Sequence, residues 1–410
     1  MRANATNIVL GIIGVASLAS LGLGWLWGAP VLTGGGSGGL VYVVTCLALG
    51  QHASRDLAAL ARRRRPKSKP AAKAGARKPA DPGDKDAMVE QMLAQGRYAL
   101  LLRPQIAENL SEHQFHRALE ALENGMALVP DGEVVLGRID DLDPRELEDE
   151  DVVARQGRIV RVEHFFMDRY PVTNRQYYEF VAAGGYEQMA LWDPAIWPAV
   201  LDFVDRTGEP GPRFWEDGCH AEGRERHPVV GVSWYEAAAY ARWLGKRLPT
   251  DAEWVKAGSW PVSLSSSSRV QRRYPWGDTM DLTRANLWAS GRRDTVSVDE
   301  FSGGVSVGGV YQLIGNVWQW TRGDYRAAET DGTVIVSEAP IKSIRGGAFD
   351  TYFDSQATCQ FQSGEAVIGR KPNIGFRCAV GVCDLLLALA AAADSSPVEA
   401  GSPSLEEVQA

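Results

Sequence analysis

Five cysteines and six histidines are the most reactive side chains in this 410-residue chain, and their spacing restricts what they can do. Cys46, Cys219, Cys359, Cys378 and Cys383 include no CxxC pair, and an odd, scattered set does not read as a disulfide framework. That usage suits a reducing compartment. His113 and His116 lie one helical turn apart with Glu120 nearby, an incomplete set for a metal. No P-loop, HExxH or GxSxG pattern is present. Tryptophan is the other informative type, with 13 copies that have to be sorted into packing and recognition. Trp318 and Trp320 flank Gln319 and share one strand face, for the core or for stacking on a carbohydrate or peptide. Trp192, Trp197 and Trp215 fall in a long stretch, 187–218, with Asp193, Glu216 and Asp217. A loop of that length is either functional or packed on its own rings, and the functional reading is a groove for a basic or aromatic partner.

Seven blocks between Met126 and Val380 carry more than any single residue: MALVPDGEVVLG (126–137), MDRYPVTNRQYYEFV (167–181), HPVVGVSWYEAAAYARWLGKRLPTDAEW (227–254), YPWGD (274–278), GVYQLIGNVWQW (309–320), SIRGG (343–347) and IGFRCA (374–379). In this order the chain resembles the formylglycine-generating enzyme family, the sulfatase-modifying factors. The resemblance implies a compact α+β domain with much irregular structure, related to C-type lectins. It also implies an oxidase in which two cysteines after the RGG turn bind copper as thiolates and convert a substrate cysteine to formylglycine.

Counted from Gly347, those two places fall on Thr351 and Gln356, neither of which supplies the sulfur that copper(I) prefers. Cys359 follows three residues later, an odd offset that on an extended strand faces the other way. A local slip would make it a candidate catalytic thiol; otherwise it is a small apolar core residue. Copper is therefore not expected. Calcium-holding relatives imply two further sites. The first maps onto Asn286, the Leu287 carbonyl and Asp294; the second onto Gln312, the Gly315 and Val317 carbonyls, and Gln319. At the second, an amide replaces a carboxylate, which weakens a hard-cation site sharply. The related sulfoxide synthases of ergothioneine synthesis carry an iron-binding histidine motif in a helical domain, and the His113–His116 spacing does not match it.

Positioning these residues falls to a few legible elements. Apolar spacing over 86–124 predicts two helices, one ending at Pro104 and one opening at Ser111 with Gln114 completing a capping box and Asn124-Gly125 closing it. Ser233 with Glu236 opens a helix that Gly245 closes, and Thr250 with Glu253 opens the next. Elsewhere Gly, Pro and Trp recur at short intervals, so loops have to be tied by side chains. Arg345 and Arg377, with rigid five-donor forks, are suited to that, and His227 is read as orienting loops.

Ile8–Trp27 is 20 residues without a charge, and Leu40–Gly50 is a second apolar run, so residues 1–52 are expected to anchor the chain with one or two transmembrane helices. A cleaved signal peptide is the alternative. A basic linker, 53–86, follows; Arg62–Lys78 holds nine Lys or Arg and no acid, which suits anionic lipid headgroups. Positive-inside bias then puts the folded part on the cytoplasmic side. With nine positive charges removed from a net charge of −8, the remainder carries −17, which argues against nucleic-acid binding. The expected layout continues with a helical pair (87–125), the main domain (126–383, including an acidic linker near 141–151) and a tail (384–410). The functional expectation is a membrane-tethered module binding a polypeptide or small ligand without copper-thiolate oxidation. The alternative is a divergent enzyme of the family, including formylglycine generation on a sulfatase cysteine.

Overall fold

The computed structural model describes residues 84–137, 157–260, 262–263, 269–325 and 340–386. The chain divides into Met1–Lys67 and Ser68–Ala410, and every described residue belongs to the second unit. The expected membrane segments, the basic run, the acidic linker and the tail beyond Leu386 lie outside the described residues. Among those described, no helix is long and apolar enough to cross a membrane.

In chain order the helices α1 (Lys85–Ala94), α2 (Tyr98–Leu101), α3 (Pro104–Ala107) and α4 (Glu112–Gly125) come first. Strands β1 (Met126–Val129), β2 (Gly132–Gly137), β3 (Gly157–Val162) and β4 (Phe165–Asp168) follow, then α5 (Asn174–Ala182), α6 (Trp197–Val200), α7 (Trp234–Trp243) and α8 (Asp251–Ser259). The short pair β5 (Val262–Ser263) and β6 (Arg269–Val270) precedes β7 (Trp318–Asp324), β8 (Ile341–Arg345), β9 (Gln362–Ala366), β10 (Ile374–Phe376) and β11 (Ala379–Gly381).

Capping explains where the longer helices begin. Ser111, Thr173, Ser233 and Thr250 each accept from the backbone N–H three residues on, and the Gln or Glu there returns the bond. The single helix expected up to Pro104 is instead broken. The chain turns at Gly96 (φ 75°), and Pro104 opens α3, where its missing N–H costs nothing. The helices form no separate domain. Leu101, Leu102, Phe115 and Leu122 share one buried cluster with Met126, Phe166 and Val380 of the sheet β1–β4–β11. Gly245 is forced by this docking: a Cβ there would stand 2.8 Å from the Leu100 Cα.

The main sheet runs β10–β7–β8–β9, with β10 and β7 parallel and the others antiparallel. Strand β7 separates two cores by its period of two. Trp318 and Trp320 enter the aromatic core with Tyr177, Tyr240, Trp243 and Phe376, while Gln319 faces the second core, where its Oε1 accepts from Trp254 Nε1 at 3.0 Å.

Candidate functional site

The turn after β8 is where a paired thiol would be needed, and its geometry is set by two glycines. A Cβ on Gly346 (φ 97°) would stand 2.2 Å from the Leu313 carbonyl oxygen, and Gly347 is also left-handed at φ 74°. The turn then closes on Thr351: its Oγ1 accepts from Ala348 N at 2.8 Å and its own N–H donates to Ala348 O at 2.9 Å. The Thr351 hydroxyl is buried and used to hold backbone. Gln356 ends a 3-10 turn, Asp354–Gln356, half-buried, with its N–H donating to Phe353 O.

Cys359 is 0% exposed. Its N–H donates to Arg273 O, and its Sγ stands 3.0 Å from where a Cβ on Gly258 would be, so the sulfur packs flush against the end of α8. A local slip that would open it to the surface is not seen; it packs as a core residue. Cys219 and Cys378 are also buried and in no disulfide, and Cys383 is exposed. A hydroxyl spent on its own turn, an amide and a sealed thiol do not fit copper(I), which needs two accessible thiolates.

The tryptophans sort differently from the groove that sequence suggests. Trp192, Trp215, Trp318 and Trp320 are buried in the aromatic core. Three of their indole N–H groups are satisfied inside it, Trp192 by Gly185 O, Trp215 by the Asn174 side chain and Trp320 by Val232 O. Of the five proposed ligand-binding rings only Trp197 is exposed, at 45%. Sequence reasoning missed a different set. Trp288, Tyr352 and Phe353 are 40%, 69% and 60% exposed and touch one another edge-on, with centroids 6.4 Å and 5.2 Å apart. Trp288 N–H donates to Thr351 O, so this ridge is tied directly to the degenerate turn, and Arg293 lies over the Trp288 ring at 4.9 Å. The signal was present in the DTYFDS run: two adjacent aromatics among polar residues cannot both face one core.

Behind the ridge lies a lattice of amides and one buried guanidinium. Arg377 donates from Nε to Gln319 Oε1 (2.7 Å), from Nη1 to Asp168 O and Arg169 O, and from Nη2 to Tyr311 O and Gln312 O. Gln319 Nε2 donates to Gln312 O, Asn316 Nδ2 to Gln312 Oε1, and Asn286 Nδ2 to Asn316 Oδ1. At the rim, Asp294 pairs with Arg224 at 2.6 Å, and Arg224 also bonds His227 Nδ1 (3.0 Å). Burial, then the neighbouring Arg224 cation, hold the His227 pKa below its ordinary value. Of the oxygens implied for calcium, those of the Asn286, Gln312 and Gln319 side chains, the Leu287 and Gly315 carbonyls and the Asp294 carboxylate already accept from protein donors. Asp294, the one carboxylate among them, faces Arg224, and the set does not fit a calcium ion. Among the described residues no three His, Cys, Asp or Glu side chains converge, and His113 and His116 are exposed on α4.

A separate cleft of about 580 Å³ is lined by Arg158, Arg161, Arg247, Arg322 and the start of α8. Its carboxylates are already paired, Glu253 with Arg247 and Asp251 with Arg345.

Known proteins place this architecture. Residues 112–382 match the family described as "Sulfatase-modifying factor enzyme 1-like domain". The chain is 38% identical over 211 residues to a hercynine oxygenase of Mycolicibacterium smegmatis, covering 48% of this chain and 45% of that protein. It is 30% identical over 313 residues to a formylglycine-generating enzyme of Thermomonospora curvata, covering 64% of this chain and 95% of that protein. It is 32% identical over 252 residues to a Bos taurus protein called inactive C-alpha-formylglycine-generating enzyme 2, covering 55% and 79%. The chain thus spans less than half the length of the hercynine oxygenase it matches. With the family match running through α4 to β11 and every quoted sequence block inside it, this chain belongs to the sulfatase-modifying factor enzyme 1-like family.

Proposed function

We propose that this domain is a recognition module that binds a polypeptide or small ligand on the Trp288–Tyr352–Phe353 ridge, without copper-thiolate oxidation. The observation that carries it is the state of Thr351: a buried hydroxyl closes the turn where an oxidase would need a reactive sulfur, directly beneath three exposed aromatic rings. Exposed aromatics in mutual contact lose little entropy on binding and bury large apolar area, so they are costly to leave in water without a use. The reading includes a membrane tether through the N-terminal apolar segments, a folded part on the cytoplasmic side, and contact of Arg62–Lys78 with anionic lipid headgroups.

The second reading is a divergent enzyme of the same family, including formylglycine generation on a sulfatase cysteine, favoured by the 38% identity to a hercynine oxygenase and the 30% identity to a formylglycine-generating enzyme. Display selection of peptides on the purified protein separates the two. Binders lost in both Trp288→Ala and Tyr352→Ala, with thermal stability unchanged, support recognition at the ridge. Binders indifferent to both substitutions remove the ridge from the account. Oxygen consumption with a cysteine-containing peptide supports the enzyme instead.

A further inference from the structure

The loop that carries Trp288 and Arg293 is fixed from behind by charge and amides, and the kind of charge is informative. Asp294 Oδ2 accepts from Arg224 Nη2 at 2.6 Å, and its Oδ1 accepts from Thr295 N at 2.7 Å. Asn286 Oδ1 accepts from Ser290 Oγ at 2.8 Å, and the Leu287 carbonyl accepts from Ser290 N at 2.9 Å. These are the oxygens that relatives would offer to a calcium ion, and here each meets a protein donor. Deeper in, the Gln312 side-chain oxygen meets Asn316, and its carbonyl meets both Gln319 Nε2 (2.8 Å) and Arg377 Nη2 (3.1 Å). Gln319 Oε1 meets Arg377 Nε and Trp254 Nε1.

We infer that Arg224 does the work of a structural cation at the first of these loop junctions, and that the domain neither binds nor needs calcium. A calcium ion takes six to eight oxygens from carboxylates, carbonyls and waters, and its affinity rises with the negative charge they carry. The seven positions supply one carboxylate, and displacing Arg224 from it would bring a second positive charge beside a guanidinium that also bonds Thr295 Oγ1 and His227. Arg377 is wholly buried and cannot be turned out to make room. Arg224 is the positioning residue for the loop: it ties Asp294 to the 224–227 turn, and that turn is held in its own right by Asn174 Nδ2 on Arg224 O.

The test uses the full chain and calcium chloride as probe. Thermal unfolding in millimolar calcium and in EDTA is expected to give midpoints within about 1 °C of each other, because a ligand that does not bind the folded state cannot shift them. Isothermal titration with calcium chloride is expected to show no saturable heat. A calcium-dependent rise of several degrees, or stoichiometric binding, overturns the inference. Arg224→Met and Asp294→Asn then probe the pairing itself. The double variant is expected to lose no more stability than Arg224→Met alone, since both remove one interaction. Additive losses overturn the role given to Arg224.

Discussion

Two regions of this molecule use exposed and buried chemistry in opposite ways. At the junction of α2 with the sheet, Lys246 is sealed from water, with Nζ 2.8 Å from Asp168 Oδ1 and 2.8 Å from Tyr98 Oη. Burial alone would lower its pKa, but Asp168 first and then Tyr98 more than offset that, so the ammonium is held charged. At the Trp288–Tyr352–Phe353 ridge, large apolar rings face solvent, and the backbone beneath is held by amides together with the Arg224–Asp294 pair and the buried Arg377. The first region cements a packed interface and does nothing for a ligand. The second contributes little packing and is available to one. A residue's value to stability and its value to binding should therefore separate cleanly between them.

The largest effect that sharpens this contrast is expected at the junction. Asp168→Ala strands a buried ammonium and should cost about 3–5 kcal/mol in urea unfolding. The double variant Asp168→Ala with Lys246→Met should recover part of that loss. Equal losses in both would show that the charge pair is not what holds α2 to the sheet. Next comes the turn under the ridge. Gly346→Ala forces a left-handed alanine, a backbone cost of about 1–3 kcal/mol, and drives its Cβ toward Leu313 O. A variant as stable as the parent would mean that the turn has an alternative conformation.

A pH effect follows from His227. Its folded pKa lies below the unfolded value, so the unfolded chain takes up the proton more readily. The stability tied to neutral His227 is present at neutral pH and is lost as pH falls below the ordinary histidine range of about 6.5. His227→Gln should flatten that part of a stability–pH profile. The smallest stability effect belongs to the ridge: Trp288→Ala or Tyr352→Ala should stay within about 0.5 kcal/mol of the parent, while ligand binding collapses. A large loss of stability there would erase the distinction between the two regions.

Much of the scaffold could be read from residues alone, because its signals are local. The capping boxes at Ser111, Ser233 and Thr250 need only a hydroxyl and a Gln or Glu three positions on. The same pattern at Thr173 and Gln176 lay inside a quoted block and was equally readable. The period of two across Trp318, Gln319 and Trp320 correctly placed both rings on one face. What composition does not encode is which face of a long loop folds inward. Trp192 and Trp215 sit in a stretch rich in acid and proline, yet their rings complete the aromatic core around Tyr177 and Phe203. Tyr352 and Phe353 look like core residues by type, but are carried outward because the Gly346-Gly347 turn spends Thr351 on its own backbone. How α1–α4 dock onto the sheet is set by residues far apart in sequence, with Tyr98 of α2 meeting Lys246 across 148 residues.

Whether this domain can oxidise a substrate cysteine turns most directly on the sulfur chemistry of one buried residue, Cys359. Copper(I) titration of the protein in a Cys383→Ser background, competed against a chromogenic chelator, measures it. The account predicts no tight site, and no difference when Cys359→Ser is added. Stoichiometric copper(I) binding that disappears with Cys359→Ser would contradict it, and would return this chain to the oxidising members of its family.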